Sequence, residues 1–319
     1  MCRLFGFRSV IQSAVHRSLV EADNALAVQS QAHRDGWGVA YYVAEVPHVI
    51  KGLSPAVEDA IFSRVGGVVA SETVLAHLRQ ATAGEVNVLN THPFQYGRWI
   101  FAHNGKVRNF GAHRAALRSR VAPNLLRYVL GDTDSELLFY LFLGELARRV
   151  DLHRRGTPIA DIAAALAAVV DLTRSIADAD LPGASATPAA SPLGDDGCPT
   201  VADEGPSLMT FLVTDGASMV GVREGKPLLF STHKRRCPDR DGCAWLGPSC
   251  EAPSPDGHVN HLIVSSEMLQ GNNVWLELQD HEWVGVDFRM VLHRGTIGGE
   301  AARVEGAGTA APLAAPAPA

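Results

Sequence analysis

The chain opens on a short apolar run, Leu4-Phe5-Gly6-Phe7, which reads as a buried strand. Residues 18–32 then change period. Leu19, Ala22, Leu26 and Ala27 share one face at helical spacing, and Arg34-Asp35-Gly36-Trp37-Gly38 ends the pattern. Val39-Ala40-Tyr41-Tyr42-Val43 is a β-rich run, with Val49-Ile50 as its hairpin return. Ser54-Pro55 predicts a helix start, running to about Arg64. Thr73 to Arg79 reads as a strand, and so does Trp99-Ile100-Phe101-Ala102-His103, which ends at the turn pair Asn104-Gly105. Residues 111–121 carry a weak helical pattern. A longer apolar helix opens at Asp132-Thr133-Asp134-Ser135-Glu136 and ends near Arg148-Arg149, where the dipole favours cations. An Ala-rich helix follows over 158–178. Strands resume at Leu208–Val213, Met219–Val222, Leu228–Phe230 and His261–Ser265, and Trp283–Val286 with Phe288–Leu292 forms a last hairpin. Strands therefore precede and follow the long helices without regular βαβ alternation. That pattern predicts an α+β fold with stacked sheets. There is no internal repeat and no phosphate-binding glycine fingerprint.

Composition narrows the classes. The 319 residues are 46% hydrophobic, so a sizeable core is available, and the formal charge of −6 argues against a general nucleic-acid or anionic-membrane binder. No apolar run reaches the ~18 residues of a membrane span. Arg3 and Arg8 interrupt any apolar leader, which gives the expectation of a cytoplasmic protein. Its five cysteines, Cys2, Cys198, Cys237, Cys243 and Cys250, suit a reactive thiol plus a cluster better than a disulfide framework. Two segments break the domain expected over 1–297. Residues 181–207 are rich in Pro, Ala, Ser, Gly and Asp and read as a flexible excursion; residues 233–257 are irregular and Cys-bearing. From 298 to 319 Ala, Gly and Pro dominate, and a disordered tail is expected.

Cys2 draws attention by its position. Removal of Met1 leaves its α-amino group free beside its thiol. With a reference pKa of about 7.7–8.0, that amine takes a thiol proton near neutral pH, so one residue supplies both nucleophile and base. A thiolate attacking an amide needs donors fixed where the oxyanion develops. The Asn104 side-chain amide and the Gly105 N–H at a strand end suit this, although Asn-Gly is also a common turn. An α-amino acid substrate would be held by its charged ends. Arg79 is placed to fork onto a carboxylate, Thr82 to add a hydroxyl, and Asp134 to take an ammonium. Each has a plain structural alternative: surface ion pair, turn residue and helix-start acid respectively. His77 reads as a core histidine, His92 as a loop residue beside the pocket, and His103 as a support for Asn104-Gly105.

Met1-Cys2-Arg3-Leu4-Phe5-Gly6, Asp35-Gly36-Trp37-Gly38, His77-Leu78-Arg79-Gln80-Ala81-Thr82, Asn90-Thr91-His92-Pro93-Phe94, His103-Asn104-Gly105 and Thr133-Asp134-Ser135-Glu136 together resemble the class II glutamine amidotransferases, which are N-terminal-nucleophile (Ntn) hydrolases. The wording is closest to the stand-alone branch that includes γ-glutamyl hydrolases of ergothioneine synthesis and glutathione breakdown; Ser265-Ser266-Glu267-Met268-Leu269 and Glu282-Trp283 are also similar to it. The resemblance implies a four-layer αββα sandwich of two stacked, mainly antiparallel sheets, with Cys2 at the end of a central strand. It implies Cys2 as nucleophile and Asn104 and Gly105 as the oxyanion hole. Arg79 would hold the glutamyl carboxylate and Asp134 its ammonium, with Thr82 and His92 lining the pocket. A γ-glutamyl thioester on Cys2 is then hydrolysed, and no cofactor is called for. No synthase-sized domain follows, so either a protein partner takes the ammonia or the substrate is simply hydrolysed.

Beside this enzyme reading stand a non-catalytic glutamine-sensing or partner-binding module on the same fold, and an interaction protein acting through 233–257. That segment also carries His233, Cys237, Cys243 and Cys250, the ligand types of a tetrahedral zinc site, at wider spacing than the usual pairs; free thiols in a surface insertion are the alternative.

Overall fold

The computed structural model describes residues 2–81, 84–181 and 205–297, together with the backbone of 302–303. Its strands, in chain order, are β1 (Arg3–Ala14), β2 (Trp37–Val43), β3 (Val46–Gly52), β4 (Ala70–Leu78), β5 (Phe94–Tyr96), β6 (Trp99–Lys106), β7 (Leu208–Thr214), β8 (Met219–Val222), β9 (Leu229–Ser231), β10 (His261–Ser265), β11 (Leu276–Glu277), β12 (Glu282–Val286), β13 (Leu292–Thr296) and β14 (Ala302–Arg303). They form two seven-stranded sheets. The first runs β11-β9-β10-β1-β4-β2-β3 and the second β14-β13-β12-β8-β7-β6-β5. Neighbouring strands are antiparallel throughout. The longer helices are α1 (Ala60–Val68), α2 (Phe110–Arg118), α3 (Asp134–Ala147) and α4 (Ile159–Ala177).

Alternation along the strands makes the layers. Leu4, Leu75, Leu212, Met219 and Val264 belong to one apolar cluster between the sheets. Phe5, Phe7, Val74 and Ala76 point the other way, into a cluster roofed by Leu19, Phe62 and Val65. The outer face of the second sheet carries Phe101, Phe211 and Val213 into a third cluster with Phe139, Phe142, Leu166 and Val170 from α3 and α4. The result is the αββα sandwich expected from the sequence. α3 is buried nearly all round its first three turns, which explains its weak amphipathic pattern.

Local departures have local causes. The helix expected over 18–32 breaks into short turns at Arg17–Glu21, Leu26–Gln29 and Ser30–Ala32. Asn24 pulls the chain aside: its side chain donates to the Met268 carbonyl at 2.6 Å and accepts from the Gln270 N–H at 2.7 Å. Ser54-Pro55 does not start the helix. Asp59 caps it, accepting the Ile61 N–H at 2.8 Å while also taking the Trp37 indole N–H at 3.0 Å. The last hairpin forms between Glu282–Val286 and Leu292–Thr296, later than expected, because Asp287 Oδ1 collects the Arg289 and Val291 N–H groups and makes 287–291 the turn. Most of 181–207 and of 298–319 lies outside the described residues; within the latter, Ala302–Arg303 pairs with β13. Among the described residues no helix is long and apolar enough to cross a membrane.

Candidate active site

Cys2 stands one residue before β1, the middle strand of the first sheet. The register Arg3↔Leu78 places it across from Arg79, one residue past β4. Its Sγ accepts the Gln80 N–H at 3.3 Å and donates to the Gln80 carbonyl at 3.4 Å, so both backbone groups of one residue clamp the thiol. Burial pushes the Cys2 pKa up. The Gln80 backbone and the Arg79 charge pull it back, and Asp134 pushes it up again. A thiol in this seat is protonated at neutral pH and needs a base before it can attack.

Arg79 is only 3% exposed. Its backbone N–H donates to the Gly36 carbonyl at 2.8 Å, and its carbonyl accepts the Asp35 N–H at 3.2 Å. Asp35 Oδ2 then takes the Ala81 N–H at 2.8 Å. Asp35-Gly36 thus holds residues 79–81 in place, and the Arg79 Nη2 reaches the Gly84 carbonyl at 3.4 Å. Burial lowers the arginine's pKa, with Cys2 and Asp35 opposing. Thr82 lies outside the described residues.

The second sheet supplies the facing wall. Asn104 and Gly105 are not the turn expected from the sequence but strand residues of β6, in register with Thr210 and Met209 and followed by Lys106, because β7 extends the ladder past them. Asn104 is 5% exposed. At Gly105 a Cβ would stand 1.8 Å from the Leu208 carbonyl and 2.6 Å from His103 Nε2, so no side chain fits. Asp134 begins α3 and is 4% exposed. Its Oδ2 accepts the Val107 N–H at 2.7 Å, and its Oδ1 the Ser135 N–H, also at 2.7 Å. That first bond ties the start of α3 to the chain leaving β6. The Ser135 hydroxyl also lies 3.3 Å from Oδ1, and Oδ2 keeps a further acceptor position.

Three histidines, His77, His92 and His103, are buried. His77 lies between the sheets, opposite Leu4 on one side and Gly38 on the other. His92 stacks on it with ring centroids 4.1 Å apart and meets Phe94 edge-on at 4.7 Å. Burial lowers the His77 pKa to about 3 and holds His92 well below its ordinary value, so both rings are neutral. The His92–Pro93 peptide is cis and presses on β2, where a Cβ at Gly38 would come within 2.1 Å of the His92 carbonyl. This close approach accounts for the second glycine of Asp35-Gly36-Trp37-Gly38. His103 joins the two halves of the second wall. Its Nε2 faces the Leu208 carbonyl at 2.9 Å and must carry the proton; its Nδ1, bare, accepts the Ser135 hydroxyl at 2.9 Å.

Arg79 and Asp134 both act electrostatically on the Cys2 thiol, and Asp134 is bonded to Val107 in the chain leaving β6, the strand that carries Asn104 and Gly105. Sequence reasoning gave no role to Gln80, Asp35 or Ser135. Gln80 acts on Cys2 through its own backbone, Asp35 on the Ala81 N–H and Ser135 on the His103 ring, partners that only the folded chain makes neighbours. Two surface cavities lie elsewhere: one of about 360 Å³ lined by Lys51, Phe94, Glu136 and Tyr140, and one of about 550 Å³ against the Cys-bearing loop. The set His233, Cys237, Cys243 and Cys250 does not assemble. No three of these residues bring ligand atoms within 4.8 Å of one another, and the His233 ring faces the Thr232 hydroxyl at 3.3 Å.

Residues 1–180 match the sequence profile of a family described as Glutamine amidotransferases class-II. The chain is 29% identical over 273 residues to the probable glutamine amidotransferase DUG3 of Saccharomyces cerevisiae, which covers 81% of this chain and 68% of the yeast protein. It is 35% identical over 117 residues to the γ-glutamyl-hercynylcysteine sulfoxide hydrolase of Mycobacterium tuberculosis, covering 34% of this chain and 50% of that enzyme. Against the putative glutamine amidotransferase YafJ of Escherichia coli the figures are 34% over 122 residues, 37% of this chain and 44% of that protein. Among solved structures, a glutamine aminotransferase class-II domain protein from Silicibacter pomeroyi aligns over 92% of this chain and 97% of its own, with a TM-score of 0.57 and 20% identity. Glutamine phosphoribosylpyrophosphate amidotransferase from B. subtilis aligns over 92% of this chain and 49% of its own, at a TM-score of 0.51 and 13% identity. At these identities the two structures speak for the fold.

Proposed function

The chain belongs to the class II glutamine amidotransferases, a family that includes γ-glutamyl hydrolases, and we propose that it cleaves a γ-glutamyl amide with Cys2 as its nucleophile. The observation that carries this reading is the seat of Cys2: a thiol clamped by the Gln80 backbone, beside a buried arginine and within electrostatic reach of Asp134. The substrate is glutamine or a larger γ-glutamyl compound. Its α-carboxylate forks onto Arg79 and its α-ammonium meets Asp134, with His92 and Thr82 beside it.

With Met1 removed, the Cys2 α-amine takes the Sγ proton, directly or through one water. Sγ attacks the γ-carbonyl carbon, and the oxygen gains negative charge between the Asn104 amide and the Gly105 N–H. The tetrahedral species collapses as the α-ammonium returns its proton to the leaving nitrogen. Ammonia or an amine departs, leaving a γ-glutamyl thioester. Water, activated by the same amine, attacks the thioester carbon; glutamate leaves and the thiol is restored. A protein partner that consumes the ammonia fits the same chemistry.

The test is release of glutamate from glutamine and from a panel of γ-glutamyl amides, using protein with a native N-terminus. Cys2→Ala is expected to lower turnover by about 10⁴-fold or more while ligand binding persists. Binding without turnover across the panel, in correctly processed wild-type protein, would instead favour the sensing module. Full activity in an N-terminally extended form would refute the amine as base.

A further inference from the structure

The second cysteine-bearing region is built unlike the first. From 233 to 256 the one buried side chain is Cys237, and the only regular structure is a single turn at Pro248–Cys250. A stretch of that length gains little from apolar burial to offset its ordering entropy. Cys237, Cys243 and Cys250 are all free thiols, and all three line the cavity of about 550 Å³. The opposite wall of that cavity is rigid sheet: Phe7 and Ser9 of β1 with Ile263 and His261 of β10, paired in register. His261 is 8% exposed, and its Nε2 has no hydrogen-bond partner among the described residues.

We propose that Cys237, Cys243, Cys250 and His261 bind one zinc ion, which fastens the 233–257 loop to β10. Three sulfurs and one imidazole are a donor set that zinc takes tetrahedrally in structural sites. This differs from the set read off the sequence in its histidine. His233 faces Thr232, whereas His261, distant in sequence, shares the cavity with the thiols. The surroundings suit thiolates. The Asn260 side chain donates to Cys250 Sγ at 2.9 Å, the kind of outer hydrogen bond that tunes a metal-bound sulfur. Lys234 lines the cavity too, with Arg235 and Arg236 next to it in the chain, so cations offset the charge left when three thiols release their protons to bind the metal. The ligand atoms are not gathered within 4.8 Å here, so closure moves the loop. His261 is the fixed point, and the thiols on the irregular chain swing toward it. Among the described residues one cluster of three does lie that close, Glu224, Asp280 and His281, but its Glu224 is already engaged, with Arg174 at 2.6 Å and His281 at 2.9 Å.

The test is zinc per chain in full-length protein purified without chelator, with cobalt absorption after exchange. About one equivalent is expected, with a thiolate-to-cobalt charge-transfer band of tetrahedral type. Cys243→Ser, whose side chain is half-buried and tolerates the change, is expected to lose most of the metal, as is His261→Asn. Cys2→Ala and His233→Ala are expected to keep it. Chelation is expected to increase proteolytic cleavage within 233–257. Zinc well below one equivalent together with no thiolate–cobalt band on adding cobalt would overturn the site. Retention in His261→Asn with loss in His233→Ala would overturn the fourth ligand.

Discussion

Cys2 and Cys237 are both cysteines against the first sheet, yet the chain holds them in opposite ways. Cys2 is held by strand register. β1 is hydrogen-bonded on both sides, its side chains are packed on both faces, and the Gln80 backbone fixes the sulfur. Cys237 sits in a loop held by polar contacts at its edges. Its N–H donates to Glu251 at 2.7 Å, Glu251 pairs with Arg240, and Lys234 N–H reaches the Cys250 carbonyl at 2.8 Å. Exposed ion pairs of this kind contribute little. The thiol proposed as nucleophile thus sits where the fold is over-determined, and the loop thiols where it is under-determined. The first arrangement suits the proposed reaction; the second leaves room for the proposed ligand to supply the missing order.

Perturbations of the first region sharpen this contrast, with the loop as internal control. Asn104→Ala is expected to lower kcat by about 10²–10³-fold, as loss of one oxyanion donor does, with little change in thermal midpoint or in loop protection. A matching fall in thermal stability would mean that Asn104 is a structural residue. Gly38→Ala comes next. The added Cβ would press on the His92 carbonyl, so a destabilisation of about 3 kcal/mol is expected, measured by denaturant titration. Hydrogen exchange is expected to rise around His77 and His92 before it rises in 233–257. The reverse order would break the contrast.

The smallest effect is one of pH. His77 is buried with a pKa of about 3, against about 6.5 unfolded. The unfolded chain therefore binds a proton that the native chain refuses. The stability this group contributes is complete above the unfolded pKa and is lost as pH falls from about 6.5 toward 3, with a slope of at most about 1.4 kcal/mol per pH unit. His77→Gln is expected to make the fall in denaturation midpoint between neutral and mildly acidic pH shallower. An unchanged slope would place the acid sensitivity elsewhere.

The hydrophobic pattern determined much by itself. The apolar run after Cys2, the continuous burial of the helix after Thr133, and the strands around 208–222 and 261–265 all follow from period and polarity, because both faces of a sandwiched strand must avoid water. The residues proposed for the site drew notice in the sequence because Cys2, Arg79 and Asp134 stand at or just beyond the end of an element and Asn104-Gly105 close to the end of β6. Other features depended on partners distant in sequence. Asn24 breaks a helix for the sake of Met268 and Gln270. Asp35 locks residues 79–81, and His103 reaches both Ser135 and Leu208. His261, not His233, lines the cavity shared by the loop cysteines. Local periodicity reports which face of an element leaves water. It carries no record of which backbone group from another strand will meet a given side chain, and that is what the stacking of two antiparallel sheets decides.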